Sequence, residues 1–138
     1  SEHVEIDPKY KERQYTMVDT THFPKVVGGM YRAVNSGFGS GGTASIAAVE
    51  GLEICGKTGT AQNPHGHDHS VFICFAPKDN PKIAVAVYVE NGGWGATYGV
   101  PIGALIMEKY LKGTLSPESE VKARDIQLRR IDYGIHER

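Results

Sequence analysis

Two apolar runs limit this chain more than anything else in it. SVFICFA (70–76) and KIAVAVYVE (82–90) are nearly continuous β-branched, aromatic and small apolar residues. The turn between them, PKDNPK, is short and polar. A parallel pair would need a long crossover, so the two runs are expected to form an antiparallel hairpin. Being apolar on both faces, they are expected to be covered on both sides. LEICGKTGTAQ (52–62) reads as a third strand.

Helical signals flank these strands. In FPKVVGGMYRAVNS (23–36), Val26, Val27, Met30 and Val34 recur at helical spacing. Pro24 suits the first turn and Gly37 a stop. VPIGALIMEKYLK (100–112) reads as a core helix, apolar on most sides, with Pro101 in its first turn and Gly113 just beyond its end. SPESEVKARDIQLRRIDY (116–133) reads as a charged surface helix capped by Ser116. GFGSGG (37–42) and NGGWGATY (91–98) read as loops. The expected organisation is a polar segment over 1–22, a folded unit over 23–112 and a charged, helical tail over 113–138.

The chain has 138 residues, of which 40% are hydrophobic and 22% charged, which suits one modest domain or part of a larger one. A formal net charge of -1 gives no electrostatic reason to expect a nucleic-acid partner. Cys55 and Cys74 both lie in apolar runs and read as buried thiols. No stretch is long and apolar enough to cross a membrane, and no signal peptide is visible. The start at Ser1 reads as that of a fragment or processed form.

GLEICGKT (51–58) matches the phosphate-loop pattern G-x-x-x-x-G-K-[ST] letter for letter. The chemistry behind that pattern needs a helix right after the Lys-Thr pair. Here the next residues are Gly-Thr-Ala-Gln-Asn-Pro, which start no helix, and Glu53 would face the phosphate as an anion. The other reading places Lys57, Thr58, Gly59 and Thr60 on a strand with one free edge. The Lys57 ammonium and the threonine hydroxyls could then bind a carboxylate by charge-assisted hydrogen bonds. Gly56 and Gly59 would let a ligand backbone approach closely, and an extended peptide could lie along the edge as an added strand.

GKTGTAQ, then HSVFICFAPKDNPKIAVAVYVEN, then a helix opening VPIGALI, resembles the end of the transpeptidase domain of class B penicillin-binding proteins, in particular the elongation transpeptidases. The likeness covers about residues 23–112. It implies an α+β fold: a three-stranded antiparallel sheet flanked by helices, the C-terminal portion of the penicillin-recognising serine transpeptidase and β-lactamase-like fold. It also implies a serine acyltransferase without cofactors, which crosslinks peptidoglycan stem peptides during cell-wall elongation and is trapped by β-lactams. Such an enzyme works on the outer side of the bacterial cytoplasmic membrane, among elongation-machinery partners. By position, Lys57 would hold the substrate's terminal carboxylate and support proton transfer. Thr58 and Thr60 would hydrogen-bond that carboxylate, and the Thr60 backbone N–H would be an oxyanion donor.

The family's other two motifs have no clear counterpart. Ser119-Glu-Val-Lys122 fits S-x-x-K, but it comes after the KTGT segment, and Ser119 reads as a helix-end residue. No S-x-N or Y-x-N occurs. This chain alone is therefore expected to be inactive. The alternative is a non-catalytic peptide-binding module using the same strand edge. The resemblance further implies that 83–89 normally pairs on both sides, so the isolated chain is expected to self-associate through that strand or the bared sheet face, or to cover the edge with 1–20.

HGHDH (65–69) could hold a metal, but reads as a solvated loop rim, with His69 beside the strand. Trp94 reads as a packed loop anchor, with a place at the cleft mouth as the alternative.

Overall fold

The computed structural model describes residues 5–37 and 42–133. Most of the loop expected over 37–42 lies outside the described residues. The fold is α+β, with three longer helices and one sheet. Strands β1 (Cys55–Ala61), β2 (His69–Ala76) and β3 (Ile83–Val89) are antiparallel and ordered β1-β2-β3. The hairpin expected from the two apolar runs is β2–β3. Its turn is closed by Lys82 N–H donating to the Ala76 carbonyl at 2.8 Å.

Strand pairing settles which residues share a face. Gly56, Cys74 and Val85 lie in line, as do Thr58, Phe72 and Val87. Helix α2 (Gly99–Lys112) packs on this face, burying Val100, Ala104 and Met107 with Phe72 and Cys74. It ends where the sequence leads one to expect, at Gly113 in the left-handed region (φ 77°).

The opposite face carries Lys57, Ile73 and Ala86 in line, and Gly59, Val71 and Tyr88 beside them. Helix α1 (Phe23–Asn35) lies against β1. Asn35 ties the two together by donating to the Ile54 carbonyl at 2.9 Å. Beyond α1, this face stays open: Ile73 is 47% exposed, Tyr88 56%, and Ala84 and Ala86 are exposed too. This corrects the expectation of cover on both sides. The apolar residues are there, but among the described residues nothing lies over β3 on that face.

Helix α3 (Pro117–Leu128) is shorter than the 116–133 expected. Ser116 caps it, accepting from Ser119 N–H at 3.3 Å. The chain turns extended at Arg129, whose guanidinium donates to the Thr97 carbonyl at 2.5 Å and to Asp125. The bond to Thr97 fastens the tail to the loop just before α2. At the other end, the fully buried Glu108 of α2 accepts from Ser116 N–H at 3.2 Å. Burial raises the Glu108 carboxyl, but hydrogen bonds from Ser119 and Ser116 and the Lys112 charge outweigh it and hold the group below the ordinary glutamate range.

The polar segment 5–22 contains two short 3-10 turns, each begun by an aspartate that accepts from a backbone N–H two residues on. Its residues are exposed and pair with no strand, so they do not cover the β3 edge.

Candidate functional site

Lys57, Thr58, Gly59 and Thr60 lie in the middle of β1. No helix starts at Thr58, so the phosphate-loop reading fails on geometry. β1 is the outer strand of the sheet. One edge pairs with β2, and among the described residues no strand pairs with the other.

Alternation divides the four residues between the faces. Lys57 and Gly59 share the face with Ile73 and Val71; Thr58 and Thr60 share the one with Phe72 and Ser70. Lys57 and Thr60 are exposed, while Thr58 and Gly59 are half-buried. Lys57 Nζ donates to the Thr58 carbonyl at 2.8 Å. An ammonium has three donors, so this bond leaves capacity for a ligand anion. The Thr58 hydroxyl lies 3.5 Å from that of Thr43. Reading along the chain missed Thr43, which comes just after a glycine-rich loop and shows no pattern of its own.

Beside Lys57 runs an apolar groove of about 490 Å³, walled by Val26, Met30 and Ala33 of α1 and by Ile73 of β2. A cation on the rim of an apolar groove, next to an unpaired strand edge, suits an extended ligand with an anionic group and an apolar part.

The far end of β1 is overlaid by the loop before α2. Gly95 lies so close that a β-carbon on it would sit 2.6 Å from the Gly59 carbonyl oxygen and 2.7 Å from that of Val71. Ser70, opposite Thr60 and fully buried, holds this loop. Its hydroxyl donates to the Trp94 carbonyl at 2.8 Å, with the Gly95 carbonyl at 3.2 Å, and accepts from Gly99 N–H at 3.0 Å. A visible signal existed here: a serine opening an otherwise apolar run must find partners once buried. Trp94 is 76% exposed, which corrects the packed-anchor reading.

The HGHDH loop is held by hydrogen bonds of its own. Asp68 accepts from Asn63 N–H at 3.2 Å, and Asn63 donates to Asn91 at 2.9 Å. His69 Nδ1 accepts from Asn91 N–H at 3.0 Å, and its ring lies 5.3 Å from that of Tyr88. Among the described residues no three His, Cys, Asp or Glu side chains converge as a metal site would need. Ser119 is in the first turn of α3, as its reading as a helix-end residue expects, and it is buried.

Both cysteines are free and buried. Cys55 pairs with Phe75 and Cys74 with Gly56, so they sit on opposite faces. Burial pushes the Cys74 thiol up to about 12, and burial likewise raises Cys55.

Comparison with known proteins agrees with this architecture. The family described as the penicillin binding protein transpeptidase domain matches residues 3–112. The chain is 37% identical over 102 residues to the peptidoglycan D,D-transpeptidase MrdA of Haemophilus influenzae, covering 63% of this chain and 15% of that protein. It is 43% identical over 77 residues to the peptidoglycan D,D-transpeptidase PbpA of Mycobacterium tuberculosis, covering 48% of this chain and 15% of that one. Among solved structures, Pseudomonas aeruginosa PBP2 in complex with WCK 5153 aligns with a TM-score of 0.62 and 34% identity, over 83% of this chain and 26% of that one. The imipenem acyl-enzyme of M. tuberculosis penicillin-binding protein A aligns with a TM-score of 0.59 and 35% identity, over 71% and 21% of the two chains. The chain thus spans about 15% of the length of these curated relatives.

Proposed function

The chain belongs to the penicillin binding protein transpeptidase domain family, and from that premise we propose that it is the C-terminal part of a peptidoglycan D,D-transpeptidase and supplies the wall of the active site that holds the substrate carboxylate. The observation that carries this reading is the placement of Lys57 and Thr60, both exposed, on an outer strand whose second edge pairs with no strand among the described residues. Lys57 and the hydroxyls of Thr58 and Thr60 bind the terminal carboxylate of a stem peptide, or that of a β-lactam standing in for it. The Thr60 backbone N–H is one donor to the oxyanion formed when a serine attacks the penultimate carbonyl. Losing one such donor costs about 100- to 1000-fold in rate.

The serine nucleophile and its base lie in a part of the protein outside residues 1–138. Ser119 is not that nucleophile: it is buried at the start of a helix, and its neighbours are the carboxylate of Glu108 and the hydroxyl of Ser116. The Glu108 carboxylate and the Ser116 hydroxyl hold the start of α3 here, and Lys122, the lysine of the S-x-x-K match, pairs with Glu118 at 2.9 Å. The intact enzyme acts in cell-wall elongation, on the outer side of the cytoplasmic membrane. Among the described residues no helix is long and apolar enough to cross a membrane, so an anchor would come from elsewhere in the protein.

The test is a fluorescent penicillin applied to this chain and to the full-length protein that carries it, with the labelled peptide identified by mass spectrometry. The full-length protein should be labelled at a serine outside residues 1–138, and the chain alone should stay unlabelled. Labelling of Ser119, or of any residue in the isolated chain, would overturn the assignment. A full-length protein that binds peptides and is never acylated would point instead to a non-catalytic binding module on the same strand edge.

A further inference from the structure

The Ser70 hydroxyl both donates and accepts in the loop before α2. It has one hydrogen to give, directed to the Trp94 carbonyl at 2.8 Å with that of Gly95 next nearest at 3.2 Å, and it accepts from Gly99 N–H at 3.0 Å. Gly99 is the first residue of α2, and Tyr98 before it offers no side-chain cap. One buried side chain of β2 therefore caps the helix and anchors the loop that precedes it. The loop comes down on β1: Gly95 has no room for a β-carbon above Gly59, and Ser70 itself stands opposite Thr60.

We propose that Ser70 is a positioning residue for the Lys57–Thr60 site, acting through the Trp94–Gly95 backbone that it clamps over Gly59; this rests on the transpeptidase reading above. Among the described residues β1 has a strand partner on one edge only, and α1 is tied to its start by Asn35 at the Ile54 carbonyl. Further support comes from above, at Gly59, next to the residue whose N–H must meet a developing oxyanion. Ser70 touches no substrate. Its hydroxyl sets where the loop lies, and the loop sets where Gly59 and Thr60 lie.

Two substitutions disturb this contact from opposite ends. Ser70→Ala removes the clamp and leaves the loop sequence intact. Gly95→Ala keeps the clamp and forces the loop away from Gly59, because the added methyl would meet the Gly59 carbonyl at 2.6 Å. Displacing a reacting group by about 1 Å can cost on the order of 100-fold, so each variant should acylate roughly 10- to 100-fold more slowly. The double variant should be far less impaired than the product of the two, because both act through one contact.

The experiment measures acylation of the full-length protein by a fluorescent penicillin, separating initial binding from the covalent step, and monitors hydrogen exchange across the chain. The expected result for Ser70→Ala is slowed acylation with initial binding nearly unchanged, and faster exchange confined to 55–61 and 92–99. Unchanged acylation overturns the proposal. So does slowed acylation with exchange raised evenly over β2, β3 and α2, which marks general loss of stability. If the unaltered protein is never acylated, the transpeptidase reading fails by itself. Exchange then decides the proposal: faster exchange at 55–61 in Ser70→Ala supports it, and an unchanged pattern overturns it.

Discussion

Gly103 of α2 lies against the ring of Phe72 with no room to spare: a β-carbon there would sit 2.6 Å from Cδ1. On the strand side, a β-carbon on Gly56 would sit 2.4 Å from Cζ of the same ring. Phe72 is fully buried between them, so neither crowding can be relieved by swinging the ring toward the other glycine. Alanine normally favours a helix over glycine by about 1 kcal/mol. Overpacking costs about 1–3 kcal/mol, and contacts this short belong at the upper end. Gly103→Ala is therefore expected to destabilise the chain by about 1–2 kcal/mol in urea unfolding, and Gly56→Ala by about 2–3 kcal/mol, since it lacks the helical gain. Unchanged stability in both would mean that the helix does not seat on the sheet as described.

The cysteines predict a chemical outcome. Thiolates react and thiols do not. Burial raises Cys74 to about 12 and raises Cys55 as well. Iodoacetamide at pH 8 should leave both unmodified in the folded chain and alkylate both in denaturant. A disulfide is excluded by their positions on opposite faces, so the mass should not change on reduction. Rapid native labelling of either thiol would contradict the burial.

Acid should loosen α3 before the sheet. The Glu108 carboxyl is held below its ordinary value, which is about 4.3 for glutamate. A depressed folded value means that the stabilisation is present above the unfolded value and is lost as pH falls through the folded one. Hydrogen exchange at Ser119 and Glu120 should therefore quicken below about pH 4, relative to β2. Glu108→Gln keeps the shape and removes the charge, and should make that difference independent of pH. Persistence of the acid effect in Glu108→Gln would assign it to another group.

The open side of β3 makes a further prediction. Its outer edge has no partner among the described residues, and Ile73 and Tyr88 on the adjoining face are 47% and 56% exposed. An unpaired apolar edge is a template for another chain. Light scattering should show the isolated chain associating as concentration rises. Ala86→Lys places a charge on that exposed face, and should reduce the association. A monomer at all concentrations would show that this surface is closed in solution.

These features differ in how plainly they can be read along the chain. The strands are legible because β-branched residues crowd into 70–76 and 82–90, and the turn between them is too short for anything but a hairpin. α1, α2 and their ends can be read from helical spacing, Pro24, Pro101 and Gly113. KTGT can be placed on a strand because a helix running on from Thr58 would take Gly59 into its first turn and Pro64 into its interior. Other features depend on partners far away. Ser70 meets its acceptors 24 and 25 residues on, and Glu108 its donor eight residues on, across a helix end. Neither distance is a period of any element. The packed-anchor expectation for Trp94 fails because lone aromatics usually pack, whereas here only its backbone is anchored. The apolar pattern of β3 implies cover on both faces, but a pattern records how a surface suits burial and does not name what buries it.

Lys57 carries the central claim, and replacing it is the most direct measurement. In the full-length protein, Lys57→Ala should lower the rate of acylation by a fluorescent penicillin by roughly 100-fold or more, about 3 kcal/mol of lost transition-state stabilisation. Lys57 is exposed on β1, so the unfolding temperature should stay nearly unchanged. Acylation at the unaltered rate in a folded Lys57→Ala protein would contradict the account.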